Sequence, residues 1–383
     1  MQAGLTQLVS FPPAGGPGKY LNEIGRHTPA VYSYAASGGC DQLTSTFQKP
    51  PSFTSDALDQ GRIIQGVRGT SVVWEGILDE PAAGADGMAL TCQGVGKQGD
   101  QYRMLFAGSW GSGVPDDAVN QAIGRGLRWK NPGIGTPSGM WMGQPVDYAS
   151  QTITDLLDLI CHKGGLMWTV TTTSTGNVLN VFQLPTVANR LLVSADPASQ
   201  SIAGEPDVIY GRFQQSADAA VKANYSTTNS TSPGLIASTG RREDFLDISS
   251  AGVQTSGSTQ TVLSNVLKRY QRAAFTQSFD LKYGELLNLG GTPVDPGAPY
   301  ADGMTAMVCR ALLADFTFSG ELQGGPVTFI VGQYQWDDGA RIATVTPFGA
   351  LRQDFASLLS LGAETVPARV LHHDPKKKKG KHK

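Results

Sequence analysis

The stretch from Gly61 to Gly96, GRIIQGVRGTSVVWEGILDEPAAGADGMALTCQGVG, narrows the possible folds more than any other part of this chain. It reads as short strands separated by turn residues. Ile63, Ile64 and Val67 lead to a turn at Arg68-Gly69-Thr70. Ser71 to Leu78, SVVWEGIL, is β-branched and aromatic, the composition of a half-buried strand. Pro81 to Gly87 has loop chemistry, and Met88 to Gln93 returns as a strand. Trp74 sets a large apolar side chain on its strand, and Gly76, two positions on, removes one. A glycine there predicts a bulge, a sharp bend or the close approach of another backbone. Such a unit cannot bury both faces by itself. More strands must surround it, which predicts the middle of a small antiparallel barrel or sandwich.

The rest of the chain extends this texture. Its 383 residues are enough for two or three domains, and 47 glycines, 22 prolines and only 16% charged residues point to short strands and many turns. Residues 1–29 are Gly/Pro-rich and read as an extended arm. Residues 30–97 form a first β domain, with Val31 to Ala35 as a strand and Gly38-Gly39 as a turn. Residues 98–195 read as an α+β insert. There Asp116 to Ile123 is a short helix with acids in its first turn. Thr152 to His162 is a longer one, with Ile153, Leu156, Leu157, Ile160 and Cys161 along a single stripe. The pairs Leu166 to Thr173 and Val178 to Leu184 follow as a hairpin. Residues 196–350 form a second β domain carrying one helix, Thr261 to Gln271, with Ser258 or Thr259 as its cap. A short helix near Phe355 to Leu361 and a basic tail close the chain. Leu58 and Gly61 ahead of Trp74 are echoed by Leu287 and Gly290 ahead of Trp336, as two β domains of one design would be.

No apolar run is long enough to cross a bilayer, which argues against stable membrane insertion. The first residues, MQAGLTQLVSFPPAGG, lack the basic and apolar regions of a signal peptide, so the expectation is a cytoplasmic product. Cys40, Cys92, Cys161 and Cys309 are far apart and without CxxC spacing, which favours buried free thiols over disulfides. The formal charge of −2 includes six lysines among the last eight residues, leaving −8 for everything before them. Lys376, Lys377, Lys378 and Lys379 therefore open a solvated tail able to touch a partner.

Catalytic patterns are missing. His27 and His162 are the only histidines ahead of the tail, and neither HxH nor HExxH occurs, so no metal site is expected. Cys161 and His162 are neighbours on a helix and point to different faces, unlike a nucleophile with its base. Glu75, Asp79, Glu80, Glu243, Asp244 and Asp247 are acids without an evident cleft. Gly108 to Gly113 lacks the Lys-Ser/Thr of a phosphate loop. Trp110, Trp129 and Trp141 near glycine loops suit packing better than sugar binding. No catalytic residue and no cofactor are assigned. The residues singled out for structure or interface are Trp74, Gly76, Arg241, Arg242, Glu243 and Trp336.

Several of these segments carry a resemblance. Leu58 and Gly61 followed by Val73-Trp74-Glu75-Gly76 and Gly94, the run from Ser150 to Val170, and Thr239-Gly240-Arg241-Arg242-Glu243 resemble minor tail proteins of actinobacterial siphophages. Tyr270, Phe275, Leu287, Gly290-Gly291 and the closing TVTPFG belong to the same likeness, which spans most of residues 30–361. More broadly the chain is similar to the tail hub family, relatives of the central hub of contractile-phage baseplates. That resemblance implies a mainly β fold, with two tube-type antiparallel β-barrel domains joined by a small α+β domain. It also implies a homotrimer at the virion tail tip, assembled in the host cytoplasm. Its implied partners are the distal tail ring, the tape-measure protein and a fibre or spike, with phage DNA passing the lumen unbound. A hexameric distal tail adaptor, a tail-associated cell-wall hydrolase and a carbohydrate-binding tip protein are the alternatives.

Overall fold

The computed structural model describes residues 5–48, 56–84, 87–105, 107–109, 114–134, 145–147, 151–164, 166–173, 175–183, 188–193, 207–215, 225–231, 241–247, 255–270, 278–288, 290–297, 313–318 and 327–347. The first β region holds β1 (Gln7–Phe11), β2 (Lys19–Tyr20), a single helical turn α1 (Leu21–Ile24), β3 (Val31–Ala35), β4 (Gly38–Phe47), β5 (Ile63–Arg68), β6 (Ser71–Leu78), β7 (Ala82–Gly84) and β8 (Gly87–Gly94). A 3-10 segment, Val95–Gln101, leads to β9 (Ala107–Ser109), α2 (Val114–Gly124), β10 (Trp129–Lys130), β11 (Pro145–Asp147), α3 (Ile153–Gly164), β12 (Leu166–Thr173), β13 (Gly176–Gln183) and β14 (Ala188–Val193). Then come β15 (Val208–Gln214), β16 (Tyr225–Thr231), β17 (Glu243–Asp247), α4 (Ser256–Tyr270), β18 (Phe279–Lys282), β19 (Leu286–Asn288), β20 (Leu313–Phe318), β21 (Val327–Asp337) and β22 (Ile342–Pro347).

Seventeen strands join through hydrogen bonds into one branched, mostly antiparallel sheet. Its spine runs β2–β1–β5–β6–β8–β4–β3–β21–β22–β18. The short β7 pairs with β8, and two longer branches leave the spine. One is the β12–β13 hairpin, which meets the start of β4 in parallel at Gly38 and Gly39. The other runs from β21 through β20 and β14 to β19. Among the described residues no strand returns to close a barrel. The chain is mainly β with few helices, as expected, but its first and last β segments share a single sheet through β3 and β21. A separate three-stranded sheet, β16–β15–β17, is covered by α4, whose Leu263 seats on the bare backbone of Gly211.

Local chemistry explains the elements. In α3, Thr152 and Asp155 form a reciprocal cap: the Thr152 N–H donates to the Asp155 carboxylate (2.8 Å), and the Asp155 N–H donates to the Thr152 hydroxyl (3.1 Å). Ile153, Leu156, Leu157 and Cys161 are buried, as the apolar stripe requires. Thr152 serves as the cap because it has its reciprocal acid three residues on. In β6 both faces are covered along Val73-Trp74-Glu75-Gly76, in place of the half-buried strand expected. The Trp74 face meets the main core, while the Glu75 face lies under the β12–β13 hairpin. The close backbone approach predicted at Gly76 is what occurs: a Cβ there would overlap the Gln93 carbonyl oxygen and the Trp74 ring.

Three segments differ from expectation. Residues 7–11, read as part of an extended arm, form β1 along the length of β5, with Leu8 and Val9 buried and the Ser10 hydroxyl donating to the Ala57 carbonyl (2.7 Å). Gly38-Gly39, read as a turn, opens a ten-residue strand. The helix expected to be capped at Ser258 or Thr259 starts earlier, at Ser256. The helix placed near Phe355 to Leu361, Cys309 and the lysine tail lie outside the described residues.

Candidate functional site

The two tryptophans singled out as contact residues, Trp74 and Trp336, are interior: they are 0% and 2% exposed. Neither can meet a partner directly. The Trp74 indole N–H donates to the Ser33 carbonyl (3.3 Å), and that of Trp336 to the Asp338 carboxylate (3.0 Å). Between their strands the rings of Tyr34 and Tyr334 lie 5.8 Å apart on the paired strands β3 and β21. Large side chains at these positions fill the seam where the early and late β segments meet.

A buried ion pair closes the same seam. Asp338, with no exposed side-chain surface, accepts from the Arg68 guanidinium (2.7 Å), the Thr6 N–H (2.6 Å) and the Trp336 indole. Arg68, 2% exposed, also donates to the Tyr32 hydroxyl (3.1 Å) and lies 5.2 Å from the centre of the Trp336 ring. Burial pushes the Tyr32 phenol up to about 12, so it stays neutral beside this pair. One guanidinium thereby joins β1, β3, β5 and the turn after β21. Sequence reading passed over both residues, because Arg68 looked like a turn residue and Asp338 sits in a polar Asp-Asp-Gly stretch.

A second polar centre joins the insert to the first β region. The Glu75 carboxylate accepts from the Gln65 amide (2.7 Å) and the Asn177 amide (2.6 Å), with the Arg128 guanidinium at 3.5 Å. Asn177 in turn accepts from the Thr172 hydroxyl (2.9 Å), beside the Cys40 thiol. Glu75 is thus spent on a structural network, and it stands on a different sheet from Glu243, Asp244 and Asp247. Those three acids, one strand, do not converge with it on a cleft.

Arg241 and Glu243 occupy the one exposed cluster that the sequence singled out. The Arg241 guanidinium donates to the Glu243 carboxylate and to the Tyr210 hydroxyl (2.8 Å). Beside them Arg212 and Asp247 pair at 3.6 Å, and Phe245, opposite Tyr210 in register, is 56% exposed. Arg242 plays a different part: its backbone N–H donates to Asp207 (3.2 Å), and its carbonyl accepts the N–H groups of Asp207 and Val208. The outer face of β15 and β17 therefore presents aromatic surface between ion pairs, a texture common at protein contacts.

Chemistry is sparse elsewhere. Among the described residues no three His, Cys, Asp or Glu side chains are grouped to hold a metal ion, and no helix is long and apolar enough to cross a membrane. Cys161 is buried, and Cys40 and Cys92 are buried free thiols; burial pushes Cys40 up to about 12 and raises Cys92 as well, which makes these two poor nucleophiles. Trp129 is a core residue whose indole donates to the Val95 carbonyl (2.9 Å), while Trp110 and Trp141 lie outside the described residues.

By sequence, no family model and no curated protein matches the chain. By fold, it is similar to the prophage tail protein gp18 from Listeria monocytogenes, with a TM-score of 0.57 at 9% identity over 93% of this chain and 99% of the other. The 43 kDa tail protein of prophage MuSo2 from Shewanella oneidensis gives 0.56 at 12% identity over 89% and 98%. A tail protein from Neisseria meningitidis gives 0.52 at 12% identity over 89% and 95%. At such identities the likeness is one of fold, and it runs nearly end to end in each pair.

Proposed function

We propose that this chain is a structural subunit of a siphophage tail tip, the hub that closes the tail tube and links the distal tail ring to a fibre or spike. The observation that carries this reading is the near full-length match of fold to two prophage tail proteins and to a tail protein from Neisseria meningitidis. In this reading three copies form the hub, each supplying two tube-type β-barrels, so that six barrel units continue a six-fold tube above a three-fold tip. The β3–β21 seam supports it, since it joins an early and a late β segment edge to edge within one chain, as neighbouring units of a ring would be joined. The insert, clamped by the Glu75 network, and the exposed Tyr210–Phe245 face would serve as surfaces for other tail proteins. The tape-measure protein would end in the lumen and DNA would pass through it without specific binding, which suits a body of formal charge −8. The lysines from Lys376 to Lys379 would add a contact to an acidic partner. The work is assembly and symmetry matching, without catalysis.

Light scattering of the purified chain over a concentration series tests this. A mass of three chains supports the hub. Six chains would instead make it a distal adaptor ring. A monomer at all concentrations that also cleaves peptidoglycan would overturn the structural role.

A further inference from the structure

One face of the spine is made of unusual material. The five adjacent strands β8, β4, β3, β21 and β22 contain no lysine, arginine or glutamate, and their only charged residues are Asp41 and Asp337. Strand alternation sends their aromatic rings to the core: Phe47, Tyr32, Tyr34, Tyr334 and Trp336 are at most 2% exposed. The opposite face carries amides and hydroxyls. In register, Gln335 lies between Ser33 and Thr344, Gln42 beside Gln93, and Thr44 beside Thr91. Gln335, Gln42, Gln93 and Thr44 are exposed. Both acids are engaged: Asp41 pairs with Lys97 (2.6 Å), and Asp337 accepts the Gly339 and Ala340 N–H groups (2.8 Å each). Asp280 and Lys282 lie beyond these strands, on the end strand β18, where Asp280 accepts the Thr344 hydroxyl (2.6 Å). The face crosses the β3–β21 pairing, so the early and the late β segments both present it. A solvated protein surface ordinarily mixes charges of both signs, and this one does not.

We propose, building on the hub reading, that this face lines the passage through the hub, so that DNA leaving the particle slides over groups that neither hold its phosphates nor repel them. Phosphates are gripped by lysine and arginine, each contact adding salt-dependent affinity, and bases are gripped by exposed aromatic rings. The described surface of the five strands offers neither, and its two acids are already engaged, so the charge pattern fits a polyanion in transit. A permanent protein seat has a different composition, enriched in Tyr, Trp, Phe, Met and Arg at its centre. The Tyr210–Phe245 face has that make-up, with Arg241 and Arg212 beside the rings. The amide and hydroxyl face lacks it, which disfavours a second copy or a docked tail protein as its occupant.

Charge placed on the face tests this. Thr44 and Gln335 are exposed, on β4 and β21, and lysine at both adds two cations per chain. A phage with its own copy of the gene disabled is complemented with the wild type, with Thr44→Lys/Gln335→Lys, with the uncharged pair Thr44→Met/Gln335→Met, or with Gln60→Lys, an exposed position outside the five strands. Purified particles are read for the amount of this chain they contain, and for the rate of DNA release triggered by host envelope fragments and followed with an intercalating dye. All four chains should enter particles equally. The lysine pair should slow release roughly threefold or more, with the slowing shrinking as salt is raised, while the methionine pair and Gln60→Lys release at the wild-type rate. Release at the wild-type rate by the lysine pair, or equal slowing by the methionine pair, overturns the lining. Exclusion of both folded pairs from particles also overturns it, since the face is then a protein seat. Should the lysine pair fail to fold, Gln335→Lys alone, read the same way, decides it. A wild-type chain absent from particles removes the hub reading, and the lining with it.

Discussion

Replacing Asp338 by asparagine keeps the shape of the side chain and removes its charge. An amide oxygen can still accept from the Thr6 N–H and the Trp336 indole, both of which approach Asp338 within 3.0 Å. What it cannot do is neutralise Arg68, whose guanidinium is 2% exposed and has no other acid within 4 Å among the described residues. Breaking one side of a buried ion pair costs about 3–5 kcal/mol, mostly the price of a stranded charge. Against a total stability of about 5–15 kcal/mol, that is a large share. The converse change, Arg68→Met, should cost less, because Arg341 also approaches the Asp338 carboxylate, at 3.8 Å. The double variant, Arg68→Met with Asp338→Asn, strands no charge, so its loss should fall short of the sum of the singles by about 2 kcal/mol or more. The measurement is urea unfolding followed by tryptophan fluorescence, at one fixed protein concentration because assembly would shift the midpoints. Singles costing under about 1 kcal/mol, or a double variant that is simply additive, would refute the reasoning, since either result means that solvent already reaches the pair.

Other perturbations test other parts of the fold. Gly96→Ala should destabilise by about 2–3 kcal/mol in the same unfolding assay, because its Cβ would overlap the Gly38 and Cys40 carbonyl oxygens and the backbone of β4 would have to shift. A thiol reagent applied to native protein near pH 8 should leave Cys40 and Cys92 unmodified for hours, and modify both once urea opens the core, since burial raises both thiols. Phe245→Ser should change stability by no more than about 0.5 kcal/mol, as the side chain is largely in solvent. If the β15–β17 face meets a tail partner, the same variant should weaken assembly into tail tips, measured as infectious particles recovered by complementation.

What could be read in the sequence was what neighbouring residues decide. The α3 stripe and its first-turn acid place that helix within a residue or two, because periodicity and capping are local. SVVWEGIL and Gly76 likewise announce a strand and a backbone crossing within a few residues of each other. β1 was hidden by its setting: Leu8, Val9 and Phe11 carry strand chemistry, but Pro12, Pro13, Gly15 and Gly16 beside them argue for an arm. The Arg68–Asp338 pair was beyond reach, since its members stand 270 positions apart and each looks like a turn residue in its own surroundings. Trp74 and Trp336 were found as a matched pair for structure or interface, because sequence gives a residue's size and strand without giving which face the sheet covers. Arg241 and Glu243 form an exposed ion pair, whereas Arg242 beside them serves through its backbone.

The pairing of β3 with β21 also sets a timetable. β3 is complete at Ala35, yet the strand that occupies its free edge starts only at Val327, roughly 300 residues later. At about 5–20 residues per second, a ribosome needs on the order of 15–60 s to deliver it. For that interval the nascent first β region carries an open edge lined by Tyr32 and Tyr34, the kind of surface that pairs with whatever strand arrives first. In a host producing many copies at once, a neighbouring nascent chain can arrive before the chain's own β21. Slow translation or crowded polysomes should therefore convert product into strand-swapped aggregates, and the yield of correctly closed subunits should depend on chaperones that cover that edge during synthesis.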